Sequence, residues 1–210
     1  KKAQVIASIA EQGLLTDELK NQIEKADTMV AVEDLYRPYR PKRRTRATIA
    51  KEKGLEPLAN VILLQMTGEP VVKTAEEYVS EEKDVKTPED AVAGAKDIIA
   101  ESISDNADYR TRIRELTFKE GVLTSAAKDA EAKTVYEMYY NFSEPVAKMA
   151  GHRILAVNRG ENEKILTVKI EAPVDKILSY LEKQIIVRDN QYTTGIIKEA
   201  IEDSYETVSY

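Results

Sequence analysis

A helical pattern in the first quarter of this sequence is interrupted by two prolines, Pro38 and Pro41, that stand three residues apart. The residue before a proline avoids the right-handed helical conformation. A helix that begins at Thr28 and has Val32 on its apolar face should therefore end near Pro38. We expect residues 37–46, here called the basic segment, to form an extended loop whose cations do not lie on a helix face.

The basic segment concentrates the positive charge of the chain. It holds six cations and no acid, namely Arg37, Arg40, Lys42, Arg43, Arg44 and Arg46. The whole chain of 210 residues has a net charge of −6, with 31 Lys plus Arg against 37 Asp plus Glu, so the remainder carries about twice that negative charge.

These residue types suit contact with nucleic acid. Arginine presents a planar fork of donors that matches phosphate oxygens, and an exposed tyrosine such as Tyr39 can stack on an unpaired base. The segment therefore predicts binding to phosphates or to an acidic protein partner. Two alternatives stay open: the arginines can pair with acids of neighbouring helices, and Tyr36 can belong to the hydrophobic core.

Most of the remaining sequence has a helical pattern. Residues 87–90, Thr-Pro-Glu-Asp, are typical of a helix start, because the hydroxyl can cap the first turn and the acids face its unpaired amides. In residues 165–170 apolar and polar side chains alternate, which indicates a half-buried strand. We expect a mainly α fold, a multi-helix bundle with helix-turn-helix-like elements and a minor β element around residues 165–170.

The pattern is less regular in the second half of the chain. Residues 122–125 can form a brief strand, and Pro145 predicts the start of another helix. Residues 154–157 suit either a strand paired with residues 165–170 or the end of a helix. The position of Gly160 favours a helix that ends there, because glycine is common just after a helix C-terminus.

Composition divides the chain into three parts. Residues 69–86 are rich in acids and poor in large apolar side chains, which is typical of a weakly packed linker. We expect an N-terminal helical segment over residues 1–68, this acidic linker, and a second helical segment with short strands over residues 87–210. The two segments can also pack as one domain.

Little in the sequence supports catalysis. The chain has no cysteine and one histidine, His152, so a site built from two histidines or from thiolates is excluded. Neither phosphate-binding pattern, GxxxxGKS/T or GxGxxG, occurs. We expect no enzymatic activity, no cofactor and no metal. The apolar runs are too short for a membrane helix, so we expect a cytoplasmic protein without a membrane partner.

A second, smaller group of cations follows Pro145. His152, Arg153 and Arg159 are secondary candidates for phosphate contact. The alternative is that Arg153 pairs with Glu161, or Arg159 with Glu163, around a turn.

Two long motifs occur in this chain. The first is EDLYRPYRPKRRTRATIA at residues 33–50, followed by KGLEPLA at residues 53–59. The second is FSEP at residues 142–145, followed by HRILAVNRGE at residues 152–161. Together they resemble the N-terminal region of the bacterial Tex family, transcription accessory proteins related to the eukaryotic elongation factor Spt-six.

The resemblance implies nucleic-acid binding and a role in transcription for the parent protein. Full-length members carry a YqgF-like domain, helix-hairpin-helix elements and an S1 RNA-binding domain, and we expect this chain to be a fragment that lacks them. The S1 domain is the expected main RNA contact, so we expect the fragment itself to bind RNA or DNA weakly. The alternative is a scaffold that docks on the transcription machinery or on the C-terminal domains of its own protein.

Overall fold

The computed structural model describes residues 1–41 and 44–208, without the side chains of residues 207 and 208. The helices in this part are α1 (Lys2–Glu11), α2 (Asp17–Lys25), α3 (Met29–Tyr36), α4 (Arg46–Glu52), α5 (Glu56–Leu64), α6 (Val71–Ala75), α7 (Pro88–Asp105), α8 (Ala107–Glu120), α9 (Gly151–Asn162), α10 (Val174–Ile185) and α11 (Thr194–Val208). The strands are β1 (Val122–Ala127), β2 (Asn141–Pro145) and β3 (Leu166–Glu171). The prediction of a mainly α fold with a minor β element is confirmed.

The chain folds as two compact units. The helical unit comprises Lys1–Thr111 together with Leu178–Tyr210, and the mixed unit comprises Arg112–Ile177. The chain therefore divides at other positions than the predicted linker. No helix in the described part of the chain is long and apolar enough to cross a membrane.

Threonine side chains begin four helices of the helical unit. The Oγ1 atoms of Thr16, Thr28, Thr45 and Thr87 each accept a hydrogen bond of 3.1 Å from the backbone N–H three residues later. Each bond satisfies an amide that has no partner within the first helical turn. The helix starts predicted at Thr28 and at residues 87–90 are confirmed.

Helix α7 lies at the centre of the helical unit, in contact with α4, α5, α6 and α11. Its contact with the turn before α5 depends on Gly94, because a methyl group there would lie 2.4 Å from Leu55 Cδ1. Ile99 of α7 and Ile197 of α11 are fully buried. The core around α7 thus joins residues from both parts of the chain that form this unit.

Residues 69–86 are packed rather than loose. Helix α6 lies within this stretch and contacts α7, with Val71 and Ala75 buried. Ser80 and Val85 then exchange two backbone hydrogen bonds of 2.9 and 2.8 Å. The acids dominate the composition because they cover the exposed side, while a few small apolar side chains make the contact with α7.

The mixed unit is built on a three-stranded antiparallel sheet in the order β2-β1-β3. Its core contains Leu123, Tyr136, Tyr139, Val157 and Leu166, all buried. The strands predicted at residues 122–125 and 165–170 are confirmed as β1 and β3, each with slightly different ends.

Strand β2 was not predicted, and the helix start expected at Pro145 is wrong. Pro145 ends β2, where it pairs with Val122, and only a 3-10 turn follows it. Residues 141–145 alternate between exposed and half-buried positions, which suits an edge strand. Proline is tolerated there because an edge position does not require its N–H.

Helix α9 confirms the helical interpretation of residues 154–157, but it does not end at Gly160. The helix continues to Asn162, and Gly160 is buried against β3. A methyl group at Gly160 would lie 2.6 Å from Leu166 Cδ1 and 3.2 Å from Tyr136 Cδ1. The glycine therefore allows close packing of helix on strand, and it does not terminate the helix.

Candidate nucleic-acid interface

The basic segment begins and ends in helical structure. Helix α3 ends at Tyr36, a 3-10 turn covers Arg37–Tyr39, and Thr45 caps α4, whose first residue is Arg46. The described ends of the segment thus differ from the extended loop that we expected over residues 37–46. Lys42 and Arg43, both predicted contacts, lie outside the described residues.

The two tyrosines of this region contact the protein. Tyr36 and Tyr39 pack against the core cluster that contains Val5 and Ile9. The Tyr36 hydroxyl lies 2.9 Å from Ser8 Oγ, within hydrogen-bond distance. Both rings therefore help to fix the segment on α1, which favours the core alternative for Tyr36 and leaves Tyr39 half-buried.

Arg37 joins the segment to the end of α7. Its Nε donates to Asp105 Oδ1 at 3.2 Å, and only 12% of the Asp105 side chain is exposed. A second pair lies nearby, in which Arg110 Nε donates to Asp34 Oδ1 at 3.3 Å and both side chains are largely buried. Because the acids of both pairs are largely shielded from water, we assign Arg37 a mainly architectural contact.

Arg40 and Arg44 make surface ion pairs. Arg40 pairs with Glu33 and lies 5.6 Å above the Tyr36 ring, in the range of a cation–π contact. Arg44 Nη2 lies 3.2 Å from Glu52 Oε2. A hydrogen bond from Lys1 lowers the pKa of Glu33, and the positive charges of Lys1 and Arg40 add to this effect.

Between the basic segment and α7 lies a cleft of about 400 Å³. It is lined by Arg37, Arg40, Pro41, Thr45, Arg46, Ala47, Asp97, Ala100, Glu101, Ser104, Asp105 and Asp203. Two of these lining residues are joined by a hydrogen bond of 3.2 Å from Thr45 Oγ1 to Glu101 Oε1. Burial raises the pKa of the Asp97 carboxyl, and the Asp203 charge adds to the rise, while Arg46 opposes it. The cleft is therefore lined by both guanidinium groups and carboxylates.

The acids of this cleft were missed in the sequence. Asp97, Glu101 and Asp105 follow one another at intervals of four residues, which places them on one face of α7. That spacing is visible in the sequence, but which helix the face meets depends on contacts between distant residues.

The secondary candidates lie on α9 in the mixed unit. His152 and Arg159 are exposed. Arg153 Nη1 lies 3.1 Å from Glu144 Oε2, and its guanidinium lies 6.0 Å from the centre of the Phe142 ring. Arg153 thus pairs with Glu144 of β2 and not with Glu161. It is half-buried, whereas His152 and Arg159 are exposed.

The fold and the cleft define a mainly helical protein region that presents arginines beside a row of acids. A family model described as "Tex central region-like" matches residues 67–202. The chain belongs to the Tex family that this model describes.

Named relatives agree with this assignment. "Uncharacterized protein YdcI" of Bacillus subtilis (strain 168) is 54% identical over 209 residues, which are 98% of this chain and 29% of that protein. "Protein tex" of Bordetella pertussis is 39% identical over 81% of this chain and 22% of that protein. "Transcriptional accessory protein Tex" of Neisseria gonorrhoeae is 37% identical over 93% of this chain and 26% of that protein. The chain thus spans less than a third of the length of these relatives.

Proposed function

We propose that this chain is a non-enzymatic helical region of a cytoplasmic, Tex-like transcription accessory factor, and that its basic segment contributes phosphate contacts to nucleic-acid binding. The proposal is carried by the exposure of Arg40 and Arg44, whose side chains are 53% and 69% exposed. Arg46 is also exposed and lies at the cleft. The name of the Neisseria gonorrhoeae relative supports a setting in transcription.

The ion pairs of these arginines are compatible with this role. An exposed pair contributes about 1 kcal/mol or less, because water screens it and two long side chains must be held in one geometry. A phosphate can accept two parallel N–H bonds from one guanidinium, so it can replace Glu52 beside Arg44. Arg37 differs, since its partner Asp105 is nearly buried.

A second candidate function is protein docking. It is supported by the fact that acids of this chain already satisfy Arg37, Arg40 and Arg44. Acidic helices of the transcription machinery, or of other domains of the same protein, could satisfy these arginines in the same way.

A titration followed by fluorescence anisotropy tests the leading proposal. The chain and a variant with Arg40, Arg44 and Arg46 replaced by glutamine are each titrated into labelled single-stranded RNA and duplex DNA between 50 and 200 mM salt. Loss of three phosphate contacts should make the negative slope of log K against log salt less steep, by about 2 on the single strand and by about 2.7 on the duplex. These contacts account for about a twentyfold loss of RNA affinity over that salt range.

The matched control replaces Lys20, Lys25 and Lys51 by glutamine, which removes the same charge from exposed positions outside the cleft. We expect this control to keep most of the salt slope. Equal slopes for the two triple variants, or no binding by the unaltered chain at high micromolar concentration, would contradict the proposal. The docking function instead predicts that the arginine variant loses thermal stability while its weak affinity for RNA stays the same.

A further inference from the structure

A second cleft, of about 410 Å³, lies along the contact between α4 and α7 in the helical unit. Ala50 of α4 and Gly94 of α7 both line it, and a methyl group at Gly94 would lie 3.3 Å from the Ala50 Cβ. The buried side chains of Leu55 and Val85 add to its apolar lining. The second cleft therefore combines apolar surface with the charged side chains that α4 and α7 place around it.

Arg46 and Asp97 line one end of the second cleft, here called the acidic end. Burial raises the pKa of the Asp97 carboxyl, Arg46 opposes the rise, and the negative charge of Asp203 adds to it. Lys96, the neighbour of Asp97, already lies 3.1 Å from Glu199 in an ion pair. Because the net result is a raised pKa, the surroundings do not fully compensate the negative charge of Asp97, and a cation there would be stabilised.

Lysines gather at the other end, here called the basic end. Lys53 follows Arg46 by two helical turns, which is about 10 Å along the axis of α4. Lys53 and Lys86 both line the cleft. The Nζ of Lys83 would lie 3.1 Å from a methyl group at Gly54, the residue next to Lys53. A third lysine thus lies beside this end.

The acids near the basic end are exposed. The Lys53 Nζ lies 4.0 Å from Asp84 Oδ2, and 75% of the Asp84 side chain is exposed. Asp90 lines the cleft and is also exposed. Exposed ion pairs contribute little because water screens them. Three lysines with two well-hydrated acids leave this end able to accept an anion.

The distance between the two ends matches a short peptide. Three residues in extended conformation measure about 10 Å, the same as the separation of Arg46 and Lys53 along α4. At neutral pH a free peptide carries an ammonium group at one end and a carboxylate at the other. A volume of about 410 Å³ lies in the range of sites for small ligands.

We propose that the second cleft binds a short free peptide of about three small residues, with its ammonium group at Asp97 and its carboxylate at Lys53 and Lys86. A ligand with two anionic ends would be repelled by Asp97, and one with two cationic ends would be repelled by the lysines. A ligand with opposite charges at its ends suits both. Its small side chains can contact the apolar lining around Ala50 and Gly94.

Blocked peptides test the two ends separately. Tri-alanine, its N-acetyl form, its amide and the doubly blocked form are titrated into the ¹⁵N-labelled 210-residue chain at a pH of about 6.5, where both free ends are charged. Shifts of the backbone amide signals measure binding. Acetylation should weaken binding about tenfold and amidation about fivefold, because the charge-assisted bond is stronger at the half-buried Asp97 than at the exposed lysines. Free alanine, which has both charges within one residue, should bind more weakly than tri-alanine.

Variants of the lining residues give a crossed test. Asp97→Asn should weaken tri-alanine about tenfold and leave the N-acetyl peptide unchanged, because that peptide has no ammonium group. Lys53→Gln combined with Lys86→Gln should weaken tri-alanine about fivefold and leave the amide unchanged. The controls Glu89→Gln and Lys51→Gln alter exposed residues of the same two helices outside the cleft, and they should bind tri-alanine like the unaltered chain.

Three results would overturn this inference: no shift of the lining amides at tens of millimolar tri-alanine, equal binding of the four peptides, or variants that weaken every peptide to the same extent. The last result would show a general loss of structure instead of a lost contact with one end. Asp97, Lys53 and Lys86 lie outside the basic segment, so the peptide titration and the nucleic-acid titration can fail independently.

Discussion

Individual side chains of the basic segment differ in what surrounds them, although they look alike in the sequence. Arg37 faces the nearly buried Asp105, whereas Arg44 and Glu52 are both exposed. The first pair is shielded from water and the second is not, so the same guanidinium group anchors the fold at one position and stays available at the other. Charge content alone cannot separate these roles, because the partner of Arg37 lies 68 residues away.

Asp97 gives a prediction that depends on pH. Burial raises its pKa above the ordinary 3.8, so the folded chain holds this proton more tightly than the unfolded chain. The stability that the Asp97 carboxyl contributes is fully present below pH 3.8, and it is lost as the pH rises through the raised pKa of the folded chain. We therefore expect Asp97→Asn to increase the free energy of unfolding at pH 7, and we expect the increase to vanish below pH 3.8.

Urea unfolding of both proteins at pH values from 3 to 8, followed by circular dichroism, measures this difference. The control is Asp17→Asn, which changes an acid that is exposed in the structure. A destabilised Asp97→Asn variant at pH 7 would show that the attraction of Arg46 outweighs the effects of burial and of Asp203.

Elements of this fold were predictable where local chemistry decides them. Thr28 and Thr87 start helices because each threonine caps an amide three residues later, and both signals lie within a single turn. Pro145 and Gly160 were misassigned because distant strands decide their roles: Pro145 pairs with Val122, and Gly160 packs on Leu166. The cleft was not predicted for the same reason, since it forms where α4 contacts α7 and these helices are distant in the sequence.

The packing of α9 on β3 can be tested by adding one methyl group. Gly160→Ala should destabilise the chain by about 1–2 kcal/mol, because overpacking against Leu166 outweighs the better helix propensity of alanine. Gly151→Ala is the matched control in the same helix, where nothing lies within 4 Å of the added carbon. Unfolding in urea measures both variants, and equal stability of the two would mean that Leu166 moves aside without strain.

At the scale of the whole molecule, the helical unit is closed by contacts between its two separated stretches of chain. Gln65 lies at their junction and is 4% exposed. Its Nε2 donates to the Ile185 carbonyl at 2.7 Å, and its Oε1 accepts from the amides of Val187 and Arg188 at 3.0 and 3.1 Å. This one side chain thus provides partners for three backbone groups about 120 residues away in sequence.

Gln65→Ala should consequently destabilise the helical unit by about 1–3 kcal/mol, because three part-buried backbone groups lose their hydrogen bonds to this side chain. Gln65 has a positive φ of 57°, so part of any effect could come from the backbone conformation. Gln65→Gly separates the two contributions. Glycine adopts this conformation without strain and, like alanine, it lacks the amide of the glutamine side chain. Thermal unfolding of both variants, with Gln184→Ala as an exposed control, measures them. A Gln65→Gly variant as stable as the unaltered chain would show that the hydrogen bonds of the side chain do not hold the two stretches together.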